Sequence, residues 1–180
     1  MNKLKIDFEN FTFVFTTNYI FNHNHNFFMT IKEAQQKLEH FCAYQERCHD
    51  EVVTKLYSLK MSPEETDAIV VKLIADNFLN ETRFACSFAR GKHRIKNWGK
   101  NRIVNELKSR HITATNITIA LKEISPEEYE ETFDKLSQRC WENLTESNFL
   151  KKRKKFCDYM LRRGFESNLV YEKLKELELQ

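Results

Sequence analysis

Apolar residues return along this chain at helical spacing, and the arrangement repeats. Residues 56–70, 107–121 and 160–174 align without gaps. Leu56, Met61 and Val70 correspond to Leu107, Ile112 and Leu121, and to Met160, Phe165 and Leu174. The copies are separated by 51 and 53 residues, a period that marks an internal repeat. Each unit reads as a helix, a tight turn and a second helix, flanked by a third helix that leads into the next unit. Such a unit cannot bury its apolar face alone, so stacked copies are expected to share a core. The predicted fold is all-α: an elongated stack of three tandem three-helix repeats.

Start signals punctuate this pattern. Thr30 with Glu33 has the form of a capping box. Ser62-Pro63-Glu64-Glu65 and Ser125-Pro126-Glu127-Glu128 are one signal written twice. In each, a Ser can accept from the free first-turn N–H groups, a Pro fills the first helical position, and a Glu stands three residues after the Ser. Asn80, Thr113 and Ser167 are further candidate caps, and Gly164 is placed to end a helix in the left-handed conformation. About nine helices follow, with repeat 1 over residues 30–78, repeat 2 over 79–123 and repeat 3 over 124–180. Residues 1–28 break the pattern with seven Phe, six Asn and no helical period. Their apolar run is too short and polar to span a bilayer, and it lacks a small-residue cleavage site. The expectation is an irregular leader over residues 1–29, outside the native protein, with Met29 as the working start.

Composition agrees with long helices: 41% apolar and 31% charged residues, with three Gly and two Pro. A net charge of +3 is too mild to point to nucleic acid, so distribution matters more than the sum. Residues 83–110 hold nine basic side chains and one acidic, whereas residues 123–146 hold eight acidic and two basic. The five cysteines are an odd set without a CxxC pair, which suits reduced thiols in a cytoplasmic protein.

The basic segment has a definable register. Phe84, Phe88 and Ile95 form an apolar stripe at helical spacing, and Arg83, Ser87, Arg90 and Arg94 fall along a second stripe beside it. Lys92, Lys96, Lys100, Arg102 and Lys108 extend the positive surface into the next helix. This surface could face an anionic partner, or it could be a solvated face paired with the acidic stretch. Trp98 could anchor a core or present its ring to a partner. Gly91, inside a helix, should cost roughly 1 kcal/mol relative to Ala, for which a close backbone approach would compensate. The run from Lys151 through Lys152, Arg153 and Lys154 to Lys155, followed by Arg162 and Arg163, suits phosphates or an acidic surface, and suits a solubilising helix start equally.

Chemistry-bearing motifs are missing. There is no P-loop, Rossmann glycine pattern, HExxH or nucleophile elbow. His40 and His49 lie near Cys42 and Cys48, but at no zinc-module spacing. The expectation is a binding protein with no catalytic residue, no metal and no cofactor. An enzyme built on this chain would need a buried polar cluster joining distant helices.

Three stretches in order resemble the RecX family. They are Tyr44-Gln45-Glu46-Arg47-Cys48; Asn80-Glu81-Thr82-Arg83-Phe84-Ala85 through Phe88-Ala89-Arg90 to Trp98-Gly99 and Arg102-Ile103-Val104-Asn105-Glu106-Leu107-Lys108; and Tyr159-Met160-Leu161-Arg162-Arg163-Gly164-Phe165. The likeness runs over residues 30–177. Two positions depart from it: Asn80-Glu81 stands where the family has two acidic residues, and His111 where it often has Gly. The resemblance implies a cytoplasmic regulator that binds the RecA recombinase and its filament on single-stranded DNA; a monomer is the default expectation for its oligomeric state. It would limit extension of that filament and lower its ATPase and strand exchange without hydrolysing anything. Carried over by position, the partner-binding surface would comprise Arg83, Arg90, Arg94, Lys96, Lys100, Arg102, Lys152, Arg153 and Arg162. Single- or double-stranded DNA would be a further partner, and a membrane would not. The competing reading is a helical protein that binds DNA independently of RecA, because each repeat contains a hairpin able to present a basic helix to a groove.

Overall fold

The computed structural model describes residues 29–179. Of the expected leader, residues 1–28 lie outside the described residues. The chain divides into Met1–Thr30 and Ile31–Gln180, and the architecture below is that of the second unit.

Nine α-helices and no strands make up the described residues. They are α1 (Ile31–Tyr44), α2 (His49–Ser58), α3 (Pro63–Ala75), α4 (Glu81–Lys96), α5 (Lys100–Lys108), α6 (Ala114–Leu121), α7 (Pro126–Asn143), α8 (Phe149–Arg163) and α9 (Ser167–Glu178). Each consecutive set of three packs on itself: α1 with α2 and α3, α4 with α5 and α6, α7 with α8 and α9. The aligned apolar positions are the reason. Leu56, Met61, Val70, Leu107, Ile112, Met160, Phe165 and Leu174 are all buried, and Leu121 packs half-buried against them. One buried cluster runs through α4–α9 and takes in Cys48 from the link between α1 and α2.

The residue just before Met61, Ile112 and Phe165 is left-handed in every copy. Lys60 has φ 66°, His111 φ 59° and Gly164 φ 91°. The turn is therefore the same each time, although only the third copy places glycine there, the residue that adopts this conformation without strain. His111, where the family often has Gly, keeps the turn form and sets Nδ1 2.7 Å from Asp50 Oδ2.

Helix starts follow the sequence signals with two differences. Ser62 and Glu65 form the full reciprocal box, Glu65 N donating to Ser62 Oγ at 3.2 Å and Ser62 N to Glu65 Oε2 at 2.8 Å. Ser125 accepts from Glu128 N, but the Glu128 carboxylate turns to Arg94 and does not close the box. Ser167, expected as a cap, is the first residue of α9, and Glu166 holds the cap position without a side-chain cap bond. The Glu166 carboxylate instead accepts from Tyr129 Oη at 2.5 Å.

Candidate functional site

Helix α4 carries the expected arginine ladder but is rotated from the expected register. Its buried face is Phe84, Ala85, Ala89 and His93; Phe88 is half-buried, and Ile95, expected in the apolar stripe, is 76% exposed. Two alanines let α4 approach α6, its main packing partner, and His93 is drawn inward by donating from Nδ1 to Trp98 O at 2.9 Å. Gly91 does not sit at a close crossing, since a Cβ built there meets nothing within 4 Å. Its helix-breaking cost is therefore unrelieved. Gly91→Ala is expected to raise stability by about 0.5–1 kcal/mol, measured by urea unfolding; a loss would mean that something does approach this backbone.

The ladder arginines are each ion-paired across a helix boundary. Arg83 Nε donates to Glu46 Oε1 at 2.5 Å in the α1–α2 link, and its other nitrogens reach Asn77 and the Phe78 carbonyl. Arg90 pairs with Glu123 in the α6–α7 link. Arg94 grips Glu128 of α7 with two nitrogens, at 2.6 and 3.0 Å. That hydrogen bond holds the Glu128 carboxyl below the usual carboxylate range and the Arg94 guanidinium above its own. The acidic stretch thus neutralises part of the basic one. These arginines tie α4 to the helix sets before and after it, and pairs this exposed add little stability. Arg153 is likewise paired, with Glu178 at 2.8 Å.

A different group of cations has no carboxylate. Two glycines bring it together. Gly99, which caps α5, lies against Gly164, which ends α8: Gly99 N donates to Arg163 O at 2.8 Å and Asn101 N to Gly164 O at 3.0 Å. A Cβ on Gly99 would stand 2.3 Å from the Gly164 carbonyl. Around this backbone contact, Arg163 donates to Lys96 O at 2.7 Å and Arg102 to Arg162 O at 3.2 Å. The Arg102 guanidinium lies 4.1 Å over the Trp98 ring, and Lys100 Nζ 4.3 Å over the Tyr129 ring. Lys96, Lys100, Arg102, Arg162 and Arg163 form no ion pair among the described residues. Arg162 Nε also donates to Asp158 O, at 3.1 Å, so carbonyls and aromatic faces position four of the five and leave their charge uncompensated. Four of the five belong to the partner surface carried over from the family; Arg163 does not, although the sequence placed it beside Arg162 after the second basic run. Lys152 stands apart, 4.2 Å over the Trp141 ring and also without an ion pair. Trp98 follows the core reading: it is half-buried, meets Phe88 in a T-shaped contact at 6.3 Å, and has the Arg102 guanidinium over its ring.

Beneath the junction lies a buried polar chain joining distant helices. His93 stacks on Tyr129, with ring centroids 5.4 Å apart, and Tyr129 Oη donates to Glu166 and accepts from Lys100 N at 3.2 Å. Burial and the Glu166 carboxylate push the Tyr129 phenol far above its ordinary value, so it is a fixed donor. Its hydrogen bonds run to its own members and to backbone, and His93 Nε2 is buried without a hydrogen-bond partner. The five cysteines are free thiols, each pushed up by burial and so kept from the thiolate form. Among the described residues, no group of three or more His, Cys, Asp or Glu is placed to hold a metal, and no helix is long and apolar enough to cross a membrane.

Residues 80–121, the span of α4 to α6, match the family model described as RecX, second three-helix domain. A protein of Oceanobacillus iheyensis named Regulatory protein RecX is 22% identical over 149 residues, covering 83% of this chain and 55% of the relative. The protein of that name from Finegoldia magna is 36% identical over 67 residues, covering 37% of this chain and 33% of the relative. The chain spans about half the length of the curated relatives whose match covers most of it. Among solved structures, RecX from Lactobacillus salivarius superposes with a TM-score of 0.70 at 23% identity, over 83% of this chain and 97% of that one. A crystal structure of regulatory protein RecX gives 0.72 at 21% identity, over 98% and 81%. At these identities the structures establish the shared helical fold.

Proposed function

We propose that this chain, a RecX-family protein, is a cytoplasmic, monomeric regulator without catalytic activity that binds the RecA recombinase and its filament on single-stranded DNA. By occupying the filament it limits extension and lowers ATPase and strand exchange. The family supplies the partner. The observation that carries the reading is the carboxylate-free cluster of Lys96, Lys100, Arg102, Arg162 and Arg163. Charges held by carbonyls and rings, with no internal counterion, are preorganised for an anion supplied from outside. A nucleoprotein filament offers protein carboxylates and DNA phosphates side by side. In this reading Lys96, Lys100, Arg102, Lys152 and Arg162 make the principal contacts, and Arg83, Arg90, Arg94 and Arg153 form an ordered edge whose charge is already partly spent.

RecA ATPase on single-stranded DNA, titrated with this protein at two salt concentrations, tests the proposal. Inhibition is expected well below one-to-one. Lys96→Glu combined with Arg162→Glu should raise the concentration needed by roughly tenfold or more, because both side chains are exposed and their reversal is repulsive. Arg83→Ala, Arg90→Ala and Arg94→Ala together should weaken inhibition less. No inhibition at any ratio, with salt-sensitive DNA binding retained in the absence of RecA, would replace this reading with the RecA-independent DNA-binding one.

A further inference from the structure

The three repeats are not joined alike. Repeats 2 and 3 share one buried cluster over α4–α9 and meet backbone to backbone, where Gly99 N donates to Arg163 O at 2.8 Å and Asn101 N to Gly164 O at 3.0 Å. Among the described residues, Cys48 is the one apolar side chain of repeat 1 that enters this cluster. Leu38, Val52, Leu56, Ile69 and Leu73 are equally buried but stand outside it, so repeat 1 closes around a core of its own. No backbone hydrogen bond joins α1 or α2 to α4, α5 or α6 among the described residues. The seam between repeats 1 and 2 is also incompletely filled. Two cavities, of about 340 and 390 Å³, open on it, and Glu51 and Arg110 line both. The two arginines placed there hold to their own sides. Arg110 pairs with Glu106 at 2.9 Å and lies 5.1 Å over Phe88, both in repeat 2. Arg47 lies 3.9 Å over Phe41 and 4.0 Å from Glu51, both in repeat 1. Arg47 Nε and Glu46 Oε2 are buried without a hydrogen-bond partner among the described residues. What crosses the seam is polar and partly open to solvent: Arg83 Nε donates to Glu46 Oε1 at 2.5 Å, and His111 Nδ1 to Asp50 Oδ2 at 2.7 Å.

Parting repeats 2 and 3 would expose a continuous apolar cluster and break backbone hydrogen bonds. Parting the seam exposes one thiol, releases two solvent-accessible polar pairs of the kind that add little stability, and lets two unpartnered buried atoms reach water. We infer that repeat 1 opens from repeats 2 and 3 as a unit, each body keeping its own core while Cys48 is withdrawn from the larger one. The link between α3 and α4 keeps the two bodies tethered. The motion changes the angle of repeat 1 against the rest of the stack without unfolding either part. It requires no partner and so stands apart from the RecA reading.

Cys48 is the reporter, because a thiol with no exposed surface reacts only when its cover opens. The full chain is alkylated with iodoacetamide over a range of urea below the unfolding transition, and Cys48 is followed by peptide mass spectrometry, its intrinsic rate being taken for each protein in concentrated urea. Amide hydrogen exchange at Ile69 and Ile103, one in each core, is read in parallel. The opening that labels Cys48 should be at least roughly tenfold more frequent than the openings that exchange these amides. It should also depend less on urea, since a partial opening exposes less surface than unfolding. Glu46→Gln with Asp50→Asn should raise Cys48 labelling roughly tenfold and leave both amides protected, and added salt should speed labelling in the parent more than in this double variant. Circular dichroism confirms that the variant folds. The inference is overturned if Cys48 and the two amides report one opening with the same urea slope, or if the double variant labels at the parent's rate. RecA inhibition by the same preparation would leave the regulatory reading standing in either case.

Discussion

Replacing Gly164 with Ala lowers the unfolding free energy by about 2–5 kcal/mol, even though it adds a single carbon. Two costs add. At φ 91° an L side chain is strained by about 1–2 kcal/mol. The new Cβ would also stand 2.3 Å from Arg102 Cβ and 2.4 Å from Arg102 N, so the end of α8 must move away from the start of α5, an overpacking cost of about 1–3 kcal/mol. Gly99→Ala separates the two terms. Gly99 has φ −75°, ordinary for any residue, so its substitution carries only the steric cost against the Gly164 carbonyl. Urea unfolding of both variants measures this. If Gly164→Ala costs no more than Gly99→Ala, the left-handed strain is relieved elsewhere; if neither loses stability, these two glycines are not in backbone contact.

Phe84→Ala is expected to cost about 3–5 kcal/mol, the largest loss from any side chain on α4. The ring is 4% exposed and packs into the continuous cluster of α4–α9, with Phe88 at 5.8 Å on one side. Its neighbour in sequence, Arg83, is fixed to Glu46, Asn77 and the Phe78 carbonyl, so the start of α4 has little freedom to collapse into the space left behind. A cavity that cannot close carries its full cost. The check is the denaturant midpoint at unchanged slope. A loss under about 1.5 kcal/mol would place the ring at the edge of the core.

Much of the fold was legible because the signals are local. The apolar offsets shared by residues 56–70, 107–121 and 160–174 identified the repeat, and the buried residues at those offsets are the ones expected. Ser62 and Ser125 mark helix starts because an N-terminus must satisfy its own free N–H groups with whatever stands beside it in the chain. Where the reading went astray, a distant residue intervened. Glu128 left its capping box for Arg94, Glu166 took the cap position and gave its carboxylate to Tyr129, and α4 turned so that Ala85, Ala89 and His93 face inward and Ile95 outward.

The candidate surface divides along the same line. Sequence located the cations and the acids but left open whether they meet, since both an external anion and the stretch of residues 123–146 could neutralise the ladder. Tertiary structure decided it residue by residue. Arg90 and Arg94 found carboxylates 33 and 34 residues away, whereas Lys96, Arg102, Arg162 and Arg163 were gathered around the contact of two glycines 65 residues apart and found none. By itself, then, the sequence determined the helices, the Ser62, Asn80, Thr113 and Ser125 caps and the recurring apolar offsets, because periodicity and capping act within a few residues along the chain. The remaining charge is a property of packing. A Coulombic pair forms only when two side chains come within about 4 Å, and that separation is set by how whole helices cross.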